Sequence, residues 1–385
     1  MPRGYRLSFI AVLSGALQFV SALCSGRNTV PVWDGSIAVA IANEEGGDGS
    51  GPTRPIHITT PAELAYLAQQ VNNYDHRLRL HNKTLHRNAG EGFAGTWFRL
   101  MNDIDLNGYP WTPIGTGPAT DVAPSFCGTF DGGGNRVAGL FIPQATGLAG
   151  LFGFIGRDGC VQNLHVTVPQ MICSTPSYIG SVAGWNDGII RHCVASGEGL
   201  VKGGNAGGIA GMNSNRILNC YATLDVTGEN SGGITAFNSA DTLACCYATG
   251  NVTANVEAGG LAAYNGTNGV IKNCVALNIE GISTSGGIRQ HAGRITDDND
   301  GILTANFASP AIPGNWKRQG AASYDGSDFA VKAFHTTPGS AGPFAGWSTT
   351  AWHFDPQNIH LPALRTTDGV IIDDQPVLIR TDYTD

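Results

Sequence analysis

Residues 206–226, AGGIAGMNSNRILNCYATLDV, decide the fold, because the chain spells the same phrase repeatedly. Its first half returns as IGSVAGWN (179–186), SGGITAFN (231–238) and AGGLAAYN (258–265), with a degraded copy, SGGIRQHA, at 285–292. Its second half returns as IIRHCVASG (189–197), LACCYATGNV (243–252) and IKNCVALNI (271–279), with a cysteine-free forerunner, VQNLHVT, at 161–167. Cys193, Cys220, Cys246 and Cys274 are therefore spaced by 27, 26 and 28 residues, and Asn186, Asn213, Asn238 and Asn265 recur once per unit. Such a period is that of one supersecondary unit stacked on the next. The repeats are rich in Gly, Ser, Thr and Asn, and their apolar residues come in short alternating runs. That pattern suits strands of a few residues and cannot sustain a helical stripe.

Short strands, Gly/Asn corners and a fixed period predict an all-β chain wound as a right-handed parallel β-helix, since parallel crossovers are overwhelmingly right-handed. Equivalent positions then stack about 4.8 Å apart and form ladders. Parity places Cys220, Ala222 and Val226 inward and Tyr221 and Asp225 outward, provided a bend falls at the preceding Asn or His. Side chains on successive rungs point the same way about 4.8 Å apart, whereas a disulfide needs Cβ atoms converging to about 3.8 Å. The ladder cysteines are accordingly expected to be unbonded core residues, while a bridge among Cys127, Cys160, Cys173 and Cys245 stays open.

The ends of the chain read differently. MPRGYRLSFIAVLSGALQFVSALC has Arg3 and Arg6 before an apolar run and small residues near its end, the pattern of a secretory signal over residues 1–24. Cys24 is an alternative lipidation site. Losing Arg3 and Arg6 with this leader takes the formal charge from −8 to −10, a balance that argues against nucleic acid and anionic membrane as partners. No later apolar run is long enough to span a bilayer. Residues 27–55 are polar and Gly-rich and predict a flexible segment. Residues 56–125 predict an N-terminal cap and first rungs, with a capped amphipathic helix in TPAELAYLAQQV from Thr60 laid across the open end. Residues 126–308 hold the repeats. Residues 309–385, with Trp347, Trp352, Phe354, Leu361 and Leu364, predict a C-terminal cap and tail.

These repeats, with NDIDLNGYPWTPIGTG (102–117) and CGTFDGGGNRVAGLFI (127–142), resemble the GLUG-motif family of bacterial surface proteins over about residues 33–364. The resemblance implies a secreted or surface-anchored β-helix that acts as an adhesin. The same repeat occurs as an accessory region in proteins resembling bacterial IgA peptidases, which carry a zinc His-Glu-x-x-His signature. This chain contains none.

Before each ladder asparagine stands a bulky residue: Trp185, Met212, Phe237 and Tyr264, followed by His291 in the degraded copy. Parity turns them outward as a stripe on which sugar rings of a glycan or host-surface ligand can stack. Packing beneath a loop is the structural alternative. A basic segment, YDHRLRLHNKTLHRN (74–88), is expected to lack strands and offers a grip for a sulfated or carboxylated glycan. An enzyme reading, as a β-helical polysaccharide lyase or glycoside hydrolase, rests on Glu198 and Asp225 on adjacent rungs, with Arg191 and Lys272 as cation or base. Such a carboxylate pair can also hold calcium; no other cofactor or metal site is expected, and DDNDG (297–301) lacks acids where a calcium loop needs them. A purely structural spacer in a surface assembly is the third reading.

Overall fold

The computed structural model describes residues 29–73, 77–81, 83–86, 92–117, 124–168, 170–285, 291–329, 342–356 and 360–372. The leader at 1–24 and Cys24 lie outside these residues. From Pro31 onward the chain is a parallel β-solenoid. One turn runs along Leu200–Gly207, rounds a corner at Gly208 and Ile209, and continues as Ala210–Asn213, Arg216–Leu218 and Tyr221–Ala222 before Asp225–Gly232 begins the next. Strands equivalent to Leu200–Gly207 form one sheet and the remaining rungs form another, with in-register parallel pairs such as Asn213 with Asn238 and Tyr221 with Tyr247.

Each corner of the turn has its own physical cause. At the Gly-Gly corner the apolar row Val182, Ile209, Ile234, Leu261 and Ile295 is wholly buried. A Cβ on Gly233 would sit 2.2 Å from the Gly260 carbonyl oxygen, so rungs stack this closely only without a side chain there. At the second corner, Asn163, His192, Asn219, Cys245, Asn273 and Ala305 all adopt φ between 51° and 53°. This left-handed bend is where parity required it, and it turns the next residue inward.

The inward residues at that bend are Leu164, Cys193, Cys220, Cys246 and Cys274 in register, and Asn306 extends the row. The ladder thiols face the carbonyl two residues back, as in Cys246 Sγ to the Ala244 oxygen at 3.2 Å. The ladder cysteines Cys193, Cys220, Cys246 and Cys274 form no disulfide, nor do Cys160 and Cys245, and burial holds the Cys193 and Cys246 thiols well above their ordinary range.

A second internal row is made of amides. Asn186 Nδ2 donates to Asn213 Oδ1 at 2.8 Å, and the chain continues from Asn213 to Asn238, Asn238 to Asn265 and Asn265 to Asn299, each at 2.7 Å. Asn186, Asn213, Asn238 and Asn265 have no exposed surface. Each amide satisfies its neighbour's lone pair while its other hydrogen reaches backbone oxygen, as from Asn213 to Asn215 at 3.0 Å.

The helix Pro61–Asn72 carries the expected capping box between Thr60 and Glu63 and buries Leu64, Leu67, Ala68 and Val71. The segment 27–55, read as a flexible link, makes contacts that its composition did not suggest. Trp33 and Ile41 are buried anchors, and Ile41 bridges to Leu80. Local polarity hid these two contacts.

The C-terminal aromatic segment is also placed differently. It lies along the side of the coil, because the outward residues Val194, Tyr221, Tyr247, Val275 and Leu277 form an apolar face that needs cover. Trp347 Nε1 donates to the Asn273 oxygen at 2.8 Å, Trp352 Nε1 to Asn219 Oδ1 at 3.1 Å, and Asp368 meets Arg99 at 3.2 Å. The segment therefore travels back over the rungs towards the N-terminal turns. The last rung is met by residues 309–329, where the Tyr324 oxygen accepts from Ile295 and Asp328 pairs with the buried Arg294 at 2.6 Å.

Two outcomes follow from these contacts. Asn213→Ala removes a donor and an acceptor from the middle of the amide row, orphaning groups on Asn186 and Asn238; urea unfolding should show a loss of about 3 kcal/mol. His165, buried with Nε2 2.6 Å from Ser196 Oγ, is pulled down to about 3 by burial and, less, by Arg136. An unfolded histidine titrates near 6.5, so the unfolded chain binds the extra proton as pH falls below that value. This contribution is complete above pH of about 6.5 and should shrink by roughly 3 kcal/mol at pH of about 4; His165→Gln should flatten that part of the stability-against-pH curve.

Candidate functional site

The stripe read from the sequence exists, and its register is Phe154, Trp185, Met212, Phe237, Tyr264 and Asp298. Its apolar members are half-buried. A second outward row runs beside it on the other sheet: Leu148, Tyr178, Asn205, Asn230 and Glu257, with His291 at the next register position. The rows face one another across the Gly-Gly corner. Tyr178 lies 5.7 Å from Trp185 and 6.3 Å from Phe237, and Glu257 acts electrostatically on Tyr264. The first row is mainly aromatic; the second begins with Leu148 and Tyr178 and continues with the Asn205 and Asn230 amides and the Glu257 carboxylate.

His291 is a correction. Its strand pairs with Glu257, so it belongs to the polar row, and Asp298 occupies the stripe position assigned to it. The degraded copy was matched to the wrong glycines: Ala292 and Gly293 pair with Ala258 and Gly259, which puts Arg294 at the place of Gly260. The repeat is AGRITDDN at 292–299, and a bulky buried arginine at the glycine corner masked it.

Local hydrogen bonds orient the aromatic wall. Trp185 Nε1 donates to Ser214 Oγ at 2.9 Å, and Ser239 Oγ donates to Met212 Sδ at 3.3 Å. The Tyr264 hydroxyl donates to Asp300 Oδ2 at 2.6 Å, which, with burial and nearby carboxylates, pushes the phenol up to about 12. Tyr264 is thus a neutral donor, not a base. Rings meet edge to face, at 76° for Phe154 with Trp185 and 70° for Phe237 with Tyr264, so the row is stepped, not a flat file of parallel faces. In the polar wall Asn230 Nδ2 donates to Asn205 Oδ1 at 2.8 Å.

The residues of the enzyme reading do not converge. Leu200, not Glu198, is in register with Asp225; Glu198 falls in the exposed turn before that strand. Counting five residues from each ladder cysteine failed because the turns after the cysteines differ in length. Asp225 Oδ1 accepts the Asn251 backbone N–H at 2.8 Å, and Arg191 Nε donates to Gln162 Oε1 at 2.9 Å. Arg191 and Lys272 share a row but are separated by Leu218 and Ala244, roughly 14 Å at the rung spacing. Among the described residues no group of three or more His, Cys, Asp or Glu is placed to hold a metal ion, and in DDNDG Asp300 is engaged by Tyr264.

The basic segment holds strands after all. Arg77–Leu80 pairs with Lys83–His86 as an antiparallel hairpin, because Leu78 and Leu80 alternate with charged residues and are buried. Sequence reading also missed Tyr178, Asn205, Asn230 and Glu257. Their signal was present: each stands seven residues before Trp185, Met212, Phe237 or Tyr264, respectively.

No family model matches the chain. It is 34% identical over 155 residues to a provisionally named Gly-rich membrane protein of Evansella cellulosilytica, a match covering 38% of this chain and 15% of that protein. It is 30% identical over 125 residues to halomucin of Haloquadratum walsbyi, covering 30% of this chain and 1% of halomucin. The chain thus spans only a small part of these relatives' lengths. A crystal structure of a protein provisionally described as an immunoglobulin A1 protease, from Bacteroides ovatus, superposes with a TM-score of 0.56 at 17% identity over 82% of this chain and 94% of that one. That likeness shows a shared fold, a parallel β-solenoid.

Proposed function

We propose that this chain is the solenoid of an exported surface protein of the GLUG-repeat kind that binds glycans without cleaving them. The observation that carries the reading is the approach of the two outward rows, Tyr178 against Trp185 at 5.7 Å, which sets an aromatic row beside one bearing Asn205, Asn230 and Glu257 and so forms the lateral groove of this proposal. Sugar rings present apolar CH faces and hydroxyls together, and this pairing of walls suits both. Stacked rungs place an outward pair at intervals of about 4.8 Å, so a polymer lying along the axis meets a bulky residue and a facing partner at each rung.

Several features support the surface setting. Residues 1–24 read as an export leader, with Cys24 as the position for a lipid anchor. One relative is named a membrane protein and the other halomucin. No helix among the described residues is long and apolar enough to cross a membrane. Binding without cleavage is supported by the separation of Glu198 and Asp225 from each other and of Arg191 from Lys272 three rungs along their row.

The test is a glycan array with the purified chain, followed by mass analysis of each bound glycan. Intact glycan should be recovered, and Trp185→Ala, Tyr178→Ala and Tyr264→Ala should each weaken binding about tenfold, the loss of roughly one stacking contact. Glu198→Gln and Asp225→Asn should leave it unchanged. Glycan recovered with new ends, lost in those two carboxylate variants, would replace binding by catalysis; binding indifferent to all three aromatic variants would remove the groove from the account.

A further inference from the structure

The hairpin carrying Arg77 and Arg79 lies far in sequence from the lateral groove, yet it borders a hollow of its own. Its buried leucines leave Arg77 and Arg79 on the exposed face. The hairpin is tied to the cap helix, where the Arg79 backbone N–H donates to the Tyr66 hydroxyl at 3.2 Å, and to the segment before it, where Ile41 N–H donates to the Arg79 oxygen at 2.9 Å. These contacts fix the Arg79 backbone.

Two adjoining cavities open along the exposed edge of the helix. The first, of about 350 Å³, is lined by Trp33 and Trp111 with Gln69, Asn73 and Thr112. The second, of about 460 Å³, is lined by Tyr66, Gln70 and Arg79. Ile37, Gln69 and Asn73 line both, so the two form one groove.

The compartments differ in chemistry. In the first, the indoles meet edge to face at 5.7 Å and both N–H groups are committed inside the protein, Trp33 to the Ser36 oxygen at 2.7 Å and Trp111 to the Leu151 oxygen at 3.0 Å. Both are more than nine-tenths buried, so only indole edges reach the compartment, and these offer ring carbon only. Asn72 is likewise committed, donating to the Pro113 oxygen and accepting from Gly115 N–H, which fixes the wall. Gln69, Asn73 and Thr112 supply the polar contacts, at the carbonyl end of the helix, where hydroxyl donors are favoured. Among the described residues no charged side chain lines this compartment. The second holds Arg79, a planar cation suited to a carboxylate.

We infer that this groove binds a short acidic oligosaccharide, with a neutral sugar among Ile37, Gln69, Asn73 and Thr112 over the indole edges and the carboxylate of an adjoining uronate on Arg79. A sugar ring matches apolar wall and amides at once, and a neutral compartment beside a cationic one selects a neutral unit linked to an acidic one. The chain's net charge of −8 makes this local cation the feature that draws an anion here. None of these residues belongs to the lateral groove, so the site stands or falls separately.

Titration of the full chain with a glucuronate-containing disaccharide and with a neutral disaccharide, followed by tryptophan fluorescence, tests it. Arg79→Gln should weaken the acidic disaccharide about tenfold, the scale of one charge-assisted hydrogen bond, and leave the weaker neutral one unchanged. Gln69→Trp, projecting from an exposed helix position into the junction of the compartments, should abolish both, and Trp185→Ala should affect neither. Rising salt should weaken the acidic ligand alone. The proposal is overturned if neither disaccharide binds, if Arg79→Gln leaves the acidic one unchanged, if Trp185→Ala removes it, or if an acidic dipeptide binds as tightly.

Discussion

The row of amides from Asn186 to Asn299 is the constraint on which the rest of the coil depends. Each buried side chain gives one hydrogen to the next rung and another to backbone, so the row is satisfied only when every rung is in register. A slip of one residue would turn these amides outward and leave buried partners empty, at a cost of several kcal/mol in all. Packing alone would be more forgiving, since Ile, Val and Leu on neighbouring rungs are nearly interchangeable. The row begins where Ile155 replaces the asparagine one turn earlier and ends where Asn299 Nδ2 turns to the Gly301 oxygen at 3.1 Å. Outside the coil, the aromatic and polar walls are in file because the inside cannot shift.

Close approach at the corners makes the groove possible. Gly208, Gly233 and Gly260 have no room for a Cβ, so the two sheets meet at a tight angle and the residues seven apart across it come to face one another. Arg294 breaks this run, and there the repeat ends, with the arginine meeting Asp328 and the Ser309 carbonyl of the closing segment. The opposite side of the coil has the reverse character. Its outward face is apolar, Tyr221 and Tyr247 stack at 4.7 Å, and the C-terminal tryptophans cover them. One side of the solenoid is sealed by its own chain and the other presents the groove.

What could be read from the sequence was whatever repeats. The period, the inward cysteines, the bend before them, the recurring asparagines and the aromatic stripe are each a rung-by-rung recurrence, and each is found. Features made by single contacts were not legible. Trp33 and Ile41 anchor a polar stretch through partners in other segments, and Leu78 and Leu80 make a hairpin of a segment whose charges dominate its composition. The polar wall was missed because Tyr178, Asn205, Asn230 and Glu257 share a position and no chemistry. His291 was misplaced by an alignment on glycines that the last rung does not keep. Nothing in the sequence showed that the terminal aromatics fold back along the coil, since an apolar cluster declares that it needs cover and not what it covers.

Hydrogen exchange of side-chain amides in protein labelled at asparagine Nδ2 tests the central claim most directly. The account predicts that Asn186, Asn213, Asn238 and Asn265 form a slowly exchanging set, protected together and released together when Asn213 is replaced. Exchange of these four at the rate of exposed asparagines such as Asn255 would contradict it, and the register of both outer walls would then need another cause.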